Sequence, residues 1–148
     1  MKTAVMIVSI ILVMMLPAAA KAAEFMVYPG AKMDQKATEE ARKLADSVRK
    51  QAPRMAANTG EPTIYVTADP IEKVLTYYQG IAKEYQMPGP KERKLPSGQP
   101  LKQAFFIFDG ASDLASSKLW AKIQRPYVGD LEFKDIRDIT AIVVSERK

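Results

Sequence analysis

The chain has 148 residues, 47% hydrophobic and 26% charged, with a formal net charge of +5 and neither histidine nor cysteine. Without those two residue types there can be no Ser-His-Asp or Cys-His nucleophile, no zinc site with nitrogen or sulfur ligands, no histidine-ligated or covalently attached haem, no thiol redox chemistry and no disulfide. Carboxylate, lysine, tyrosine and serine chemistry remain, and no cofactor is expected.

Met1, Lys2 and Thr3 form a short positive start to an apolar run of 13 residues, Ala4 to Leu16, broken only by Ser9. Pro17 and the small-residue stretch Ala18 to Ala23 follow, completing the three-part layout of a secretory signal. A helix needs about 20 apolar residues to cross the hydrocarbon core, so no stable membrane span is expected after cleavage. Ala20 and Ala22, or Ala18 and Ala20, supply the small side chains that signal peptidase needs. The expected organisation is a cleavable signal over residues 1–22 and a single domain over 23–148. With no cysteine for the thioether of a lipoprotein, the mature chain should be released into the periplasm or medium. The 22 basic residues lose Lys2 and Lys21 with the signal, so 20 face 17 acidic ones. That excess is ordinary for a soluble domain, and without a clustered basic stripe no nucleic-acid partner is expected.

Phe25–Tyr28 is a short β-prone run, a candidate edge strand, stopped by Pro29 and Gly30. Ala37, Ala41, Leu44, Ala45, Val48 and Ala52 recur at helical spacing, with Asp34 as N-cap and Pro53 as the stop. Asn58, Thr59 and Gly60 read as a loop, and Thr63–Thr67 as a strand. Asp69, Pro70 and Glu72 fit the N-cap, N1 and N3 positions of a helix expected over 70–86, whose face is Ile71, Val74, Leu75, Tyr78, Ile81, Ala82 and Tyr85. Residues 88–100 are a proline-rich solvated connection. Gln103–Phe108 is apolar on both sides, which predicts a central strand covered on both faces. Leu119–Arg125 and Ile139–Ser145 complete the pattern β-α-β-α-β-β-β. This is an α+β fold with an antiparallel sheet of four or five strands and two packed helices. The order leaves open whether the helices share one face, in which case a homodimer through the open face would cover the other.

Two carboxylates and a hydroxyl surround a glycine at Asp109-Gly110-Ala111-Ser112-Asp113. Asp109 and Asp113 are the candidates for a hard cation or for a carboxylate-dependent hydrolase, although turn and cap chemistry requires the same residue types. Asp130, Glu132, Asp135 and Asp138 alternate with Lys134 and Arg137, as in a charge-compensated connection. Ser116, Ser117 and Lys118 lack the serine three residues before the lysine that a serine-lysine site needs, because that position is Ala115. Trp120, Lys122 and Gln124 share a strand face, with Arg125 and Tyr127 beside them. A flat ring among cationic and amide groups is the composition of a recognition patch. Lys91, Arg93, Lys94 and Lys102 could attract an anionic polymer.

Tyr28-Pro29-Gly30-Ala31, then Thr67-Ala68-Asp69-Pro70-Ile71-Glu72-Lys73-Val74 leading to Tyr77-Tyr78, resemble a loose group of uncharacterised bacterial secreted and periplasmic proteins. The resemblance covers the first half of the mature chain. It implies a bacterial periplasm but brings no activity and no functional residues. Two readings follow: a non-enzymatic binding or accessory module of the cell envelope, with an envelope protein or polymer as partner, or a carboxylate-dependent hydrolase, with or without a metal, centred on Asp109 and Asp113.

Overall fold

The computed structural model describes residues 23–56, 59–90 and 92–148. The expected signal over residues 1–22, Asn58 of the expected loop and Lys91 of the basic run lie outside the described residues. In chain order the elements are β1 (Lys32–Met33), α1 (Gln35–Gln51), the one-turn α2 (Pro53–Ala56), β2 (Glu61–Thr67), α3 (Ile71–Gln79), β3 (Lys83–Tyr85), β4 (Arg93–Lys94), β5 (Pro100–Ile107), β6 (Leu119–Arg125), β7 (Tyr127–Val128), β8 (Ile136–Arg137) and β9 (Thr140–Glu146). The sheet runs β1-β2-β9-β6-β5-β3, with β4 also on the outer side of β5, and β7 and β8 form a separate ribbon. Every pairing is antiparallel. The α+β class stands, the sheet has seven strands where four or five are expected because β1, β3 and β4 are short edge pieces, and the last three long strands form an antiparallel meander.

The helices lie on opposite faces. Alternation along the strands sends Ala104, Phe106, Leu119, Ala121, Ile123, Ile142 and Val144 to one side, where Ile71, Val74 and Tyr78 of α3 meet them. Each fully buried Val, Leu, Ile or Phe among them contributes about 1.5–3 kcal/mol. The opposite side is a smaller core in which Ala37 of α1 meets Ile64, Ala141 and Tyr127, with Ala41, Val66 and Val143 around them. Alanines on this face of α1 let the helix lie close to β2 and β9.

Local backbone needs explain several side chains. The Asp34 carboxylate accepts from the Ala37 N–H at 2.9 Å, the predicted N-cap of α1. β1 is too short to satisfy Ile64 of β2. Instead the Asp34 N–H donates to the Ile64 carbonyl at 2.9 Å, and the Thr38 hydroxyl accepts from the Ile64 N–H at 3.0 Å.

Three expectations are corrected. Phe25–Tyr28 is not a strand. Phe25 packs its ring against Tyr65, Tyr78 and Phe108, and Tyr28 opens a turn in which the Ala31 N–H donates to the Tyr28 carbonyl at 3.0 Å. Pro29 and Gly30, the latter at φ +88°, suit the two central positions of that turn. The helix predicted over 70–86 stops at Gln79, where Gly80 follows, and Lys83–Tyr85 turns back as β3 against β5. The apolar spacing of Ile81, Ala82 and Tyr85 runs past the terminus: Gly80 keeps a right-handed helical conformation, the Ile81 and Ala82 N–H groups still donate to the Tyr78 carbonyl at 3.1 and 2.9 Å, and pairing with β5 then draws the chain into β3. Pro70, not Asp69, is the residue before α3, and it makes no side-chain cap. Asp69 instead accepts from the Tyr28 hydroxyl at 2.6 Å and pairs with Lys73 at 3.3 Å.

Candidate functional site

α1 spans only the β2–β9 half of its face. Over β6 and β5 no helix among the described residues covers the same face, so β5, which lies next to the edge, is only partly covered there: Ile107 is buried, but Phe105 only partly. Cross-strand register places Lys122 between Phe105 of β5 and Val143 of β9. Trp120 lies between Ile107 and Ser145, and Gln124 between Gln103 and Ala141.

This uncovered strip forms the floor of a groove of about 560 Å³, in the usual range for small-molecule sites. Lys122, Gln103 and Gln124 form its base, Arg93 and Lys94 of β4 bound one side, and the loop after β7 bounds the other. Apolar side chains dominate its rim: Leu131 is 77% exposed, Leu44 46% and Phe133 44%. Phe133 has φ +58°, a left-handed conformation that costs a non-glycine residue about 1–2 kcal/mol. The Asp130 carboxylate offsets this by accepting from the N–H groups of Lys134 at 2.9 Å and Asp135 at 3.1 Å. Gly129 closes the loop, its N–H donating to the Asp135 carbonyl at 2.8 Å. A Cβ there would collide with the Asp135 carboxylate.

Lys122 is the unusual residue of the groove. Burial lowers its proton affinity, and the charge of Arg93 lowers it further. Among the described residues its ammonium meets neither a carboxylate nor a hydrogen-bond acceptor, and the Gln103 amide is likewise without a side-chain hydrogen bond.

The predicted recognition patch therefore divides. Trp120, Lys122 and Gln124 do share a face, but Gln124 is only 5% exposed and donates to the Pro126 carbonyl at 3.3 Å. Arg125 points the other way, because alternation reverses at each residue. It ties three segments together, reaching Asp138 at 3.1 Å, the Asp69 carbonyl at 3.0 Å and the Thr140 hydroxyl at 3.2 Å. Tyr127 is buried in the smaller core, with the Arg137 guanidinium 4.6 Å from its ring centre. Leu44, Leu131 and Phe133 were missed as site residues. Leu44 reads as part of the α1 core stripe, and the other two lie in a charged connection whose fold periodicity does not reveal.

The carboxylate candidates are occupied by their own loop. Asp109 accepts from the Lys118 N–H at 2.6 Å, the Ser117 hydroxyl at 2.9 Å and the Ala111 N–H at 3.3 Å. Asp113 accepts from the Ser116 N–H at 2.8 Å and hydroxyl at 3.0 Å. Partial burial opposes ionisation of Asp109, but these bonds outweigh it and lower its proton affinity. At Asp113 the backbone bond from Ser116 dominates in the same direction. A general acid needs the opposite shift. Among the described residues no group of three or more acidic side chains is placed to hold a metal ion.

In the second acidic group, Glu132 pairs with Lys134, Asp135 with Arg137 at 3.4 Å and Asp138 with Arg125 at 3.1 Å. Of the basic run, Lys102 is engaged by Glu72 at 2.6 Å, which leaves Arg93 and Lys94 at the groove. No helix among the described residues is long and apolar enough to cross a membrane.

Comparison with protein-family models, with curated proteins and with solved structures yields no match.

Proposed function

We propose that the chain is a non-enzymatic binding module of the bacterial cell envelope and that the groove over β6 and β5 is its binding site. The observation that carries this reading is an unpartnered lysine in the floor of a groove rimmed by three exposed, large apolar side chains. Burying a charge without a partner is costly, and exposed apolar clusters on a monomer mark interaction surfaces. A ligand in the groove would remove both costs. The envelope location rests on the layout of residues 1–22 and on the resemblance of the first half of the mature chain.

The test uses residues 23–148 and the neutral apolar probe N-phenyl-1-naphthylamine, with Trp120 as the reporter, since it is the single tryptophan of the chain. Saturable probe binding is expected, weakened several-fold by Leu131→Ser combined with Phe133→Ser. Probe binding that is absent, or unchanged in that variant, would overturn the groove as a binding site. Fractionation of the native host should recover the mature chain outside the cytoplasm. Recovery in the cytoplasm with residues 1–22 intact would overturn the location.

A further inference from the structure

Building on the groove reading, we propose that its ligand is a small anionic amphiphile: a monocarboxylate whose headgroup meets the Lys122 ammonium and the Gln103 amide, with its aliphatic body against Leu44, Leu131 and Phe133. Charge complementarity carries the choice. Lys122, Arg93 and Lys94 all line the groove and none has an ion pair among the described residues. The acidic residue in the lining, Asp130, has its Oδ1 committed to two backbone N–H groups. The lining thus carries three positive charges against one negative, beside apolar side chains, a setting in which a charge-assisted hydrogen bond is stronger than in water. One ammonium and one side-chain amide match the two oxygens of a carboxylate. The remaining surface is aliphatic and aromatic, which suits a hydrocarbon body and offers little to a polyanion or a sugar.

Size favours a small molecule over a macromolecule. The groove is bounded on one side by Arg93 and Lys94 and on the other by the loop from Gly129 to Phe133, and its volume of about 560 Å³ suits a chain of medium length. The hydrocarbon would also cover Leu131, the most exposed of the large apolar side chains.

Decanoate and decanol, identical except for the charged headgroup, separate this inference from the groove reading when each displaces N-phenyl-1-naphthylamine from residues 23–148. Decanoate is expected to bind at least about tenfold more tightly than decanol, since hydrogen bonds to charged groups contribute on that scale. Lys122→Met should reduce the preference to within about twofold, and Lys122→Arg should restore most of it. The neutral probe must still bind Lys122→Met, which shows that the variant folds. If the neutral probe binds but decanoate and decanol compete equally, the carboxylate inference fails and the groove reading survives. If neither ligand nor probe binds, both fail. Light scattering supplies the remaining outcome: a dimer dissociated by Leu131→Ser and untouched by decanoate would assign the groove to a second copy and overturn the inference.

Discussion

The Tyr28 hydroxyl donates to the Asp69 carboxylate at 2.6 Å across 41 residues of sequence. The contact joins the turn at Pro29-Gly30 to the segment that enters α3, so the two short stretches behind the resemblance are one structural unit. The shared hydrogen bond, first among the causes, raises the proton affinity of the tyrosine and lowers that of the aspartate below its ordinary 3.8. For a carboxylate shifted down, the stabilisation is complete above the unfolded-state value and is lost as pH falls through the lower folded-state value. Tyr28→Phe is therefore expected to move the midpoint of acid unfolding to higher pH and to lower stability by a constant amount at pH values above the unfolded-state value. An acid titration followed by circular dichroism reads this, and an unmoved midpoint would contradict it.

Asp34 joins two tasks. It caps α1 through the Ala37 N–H, and its other oxygen meets Arg137 at 2.9 Å, 103 residues away. Asp34→Ala should cost about 1–2 kcal/mol at neutral pH, chiefly through the lost cap, whereas Arg137→Met should cost less because that side chain is 38% exposed. The backbone bond to Ala37, and after it Arg137, holds the Asp34 carboxyl below 3.8. The difference between wild type and Asp34→Ala should therefore shrink only below about pH 4. Urea unfolding at several pH values would show it.

Gly60 is a steric requirement. A Cβ there would come within 2.5 Å of the Ser145 hydroxyl and 2.7 Å of the Glu146 backbone nitrogen, at the end where β2 pairs with β9. Because backbone atoms cannot yield as a side chain can, Gly60→Ala should destabilise by about 1–3 kcal/mol. Thermal unfolding at unchanged secondary structure content would test this, and a neutral result would mean that the strand end slides freely.

Lys122→Met should stabilise the free protein even as it removes the anchor for an anion. Its folded-state proton affinity lies below the ordinary 10.5, so stability should rise with pH from the folded value up to the unfolded one. Below that window the partly buried charge is at its most costly, and the methionine variant should gain about 1 kcal/mol at pH 7. The gain should fade at strongly alkaline pH. A less stable Lys122→Met would show that the ammonium has an internal partner.

Much of the architecture was legible because it rests on periodicity. Leu119–Arg125 matches β6 at both ends, and Asp34 caps α1 as its position before an apolar stripe implies. The misreadings share a cause: local pattern was outweighed by contacts distant in sequence. Asp69 has the form of a cap, yet Tyr28 takes it. Arg125 and Tyr127 sit beside Lys122 in sequence but point elsewhere, because alternation separates Arg125 and the turn at Pro126 leads Tyr127 under α1. The Lys122 face was visible in the alternation of β6. Its rim was not, since Leu44, Leu131 and Phe133 come together only through the packing of α1 and the conformation of one loop.

The outer strand beside β5 also shapes how this domain can meet other chains. From Tyr85 opposite Phe105 to Arg93 opposite Leu101, that strand advances eight residues while β5 advances four, and Pro88 and Pro90 lie in the excursion. At the far margin, β1 is two residues long. Among the described residues, neither border of the sheet therefore offers a long straight row of free N–H and C=O groups, the template along which sheets of separate molecules zip together. The borders are thereby poor templates, and the broad face over β6 and β5 is the surface left open to contact.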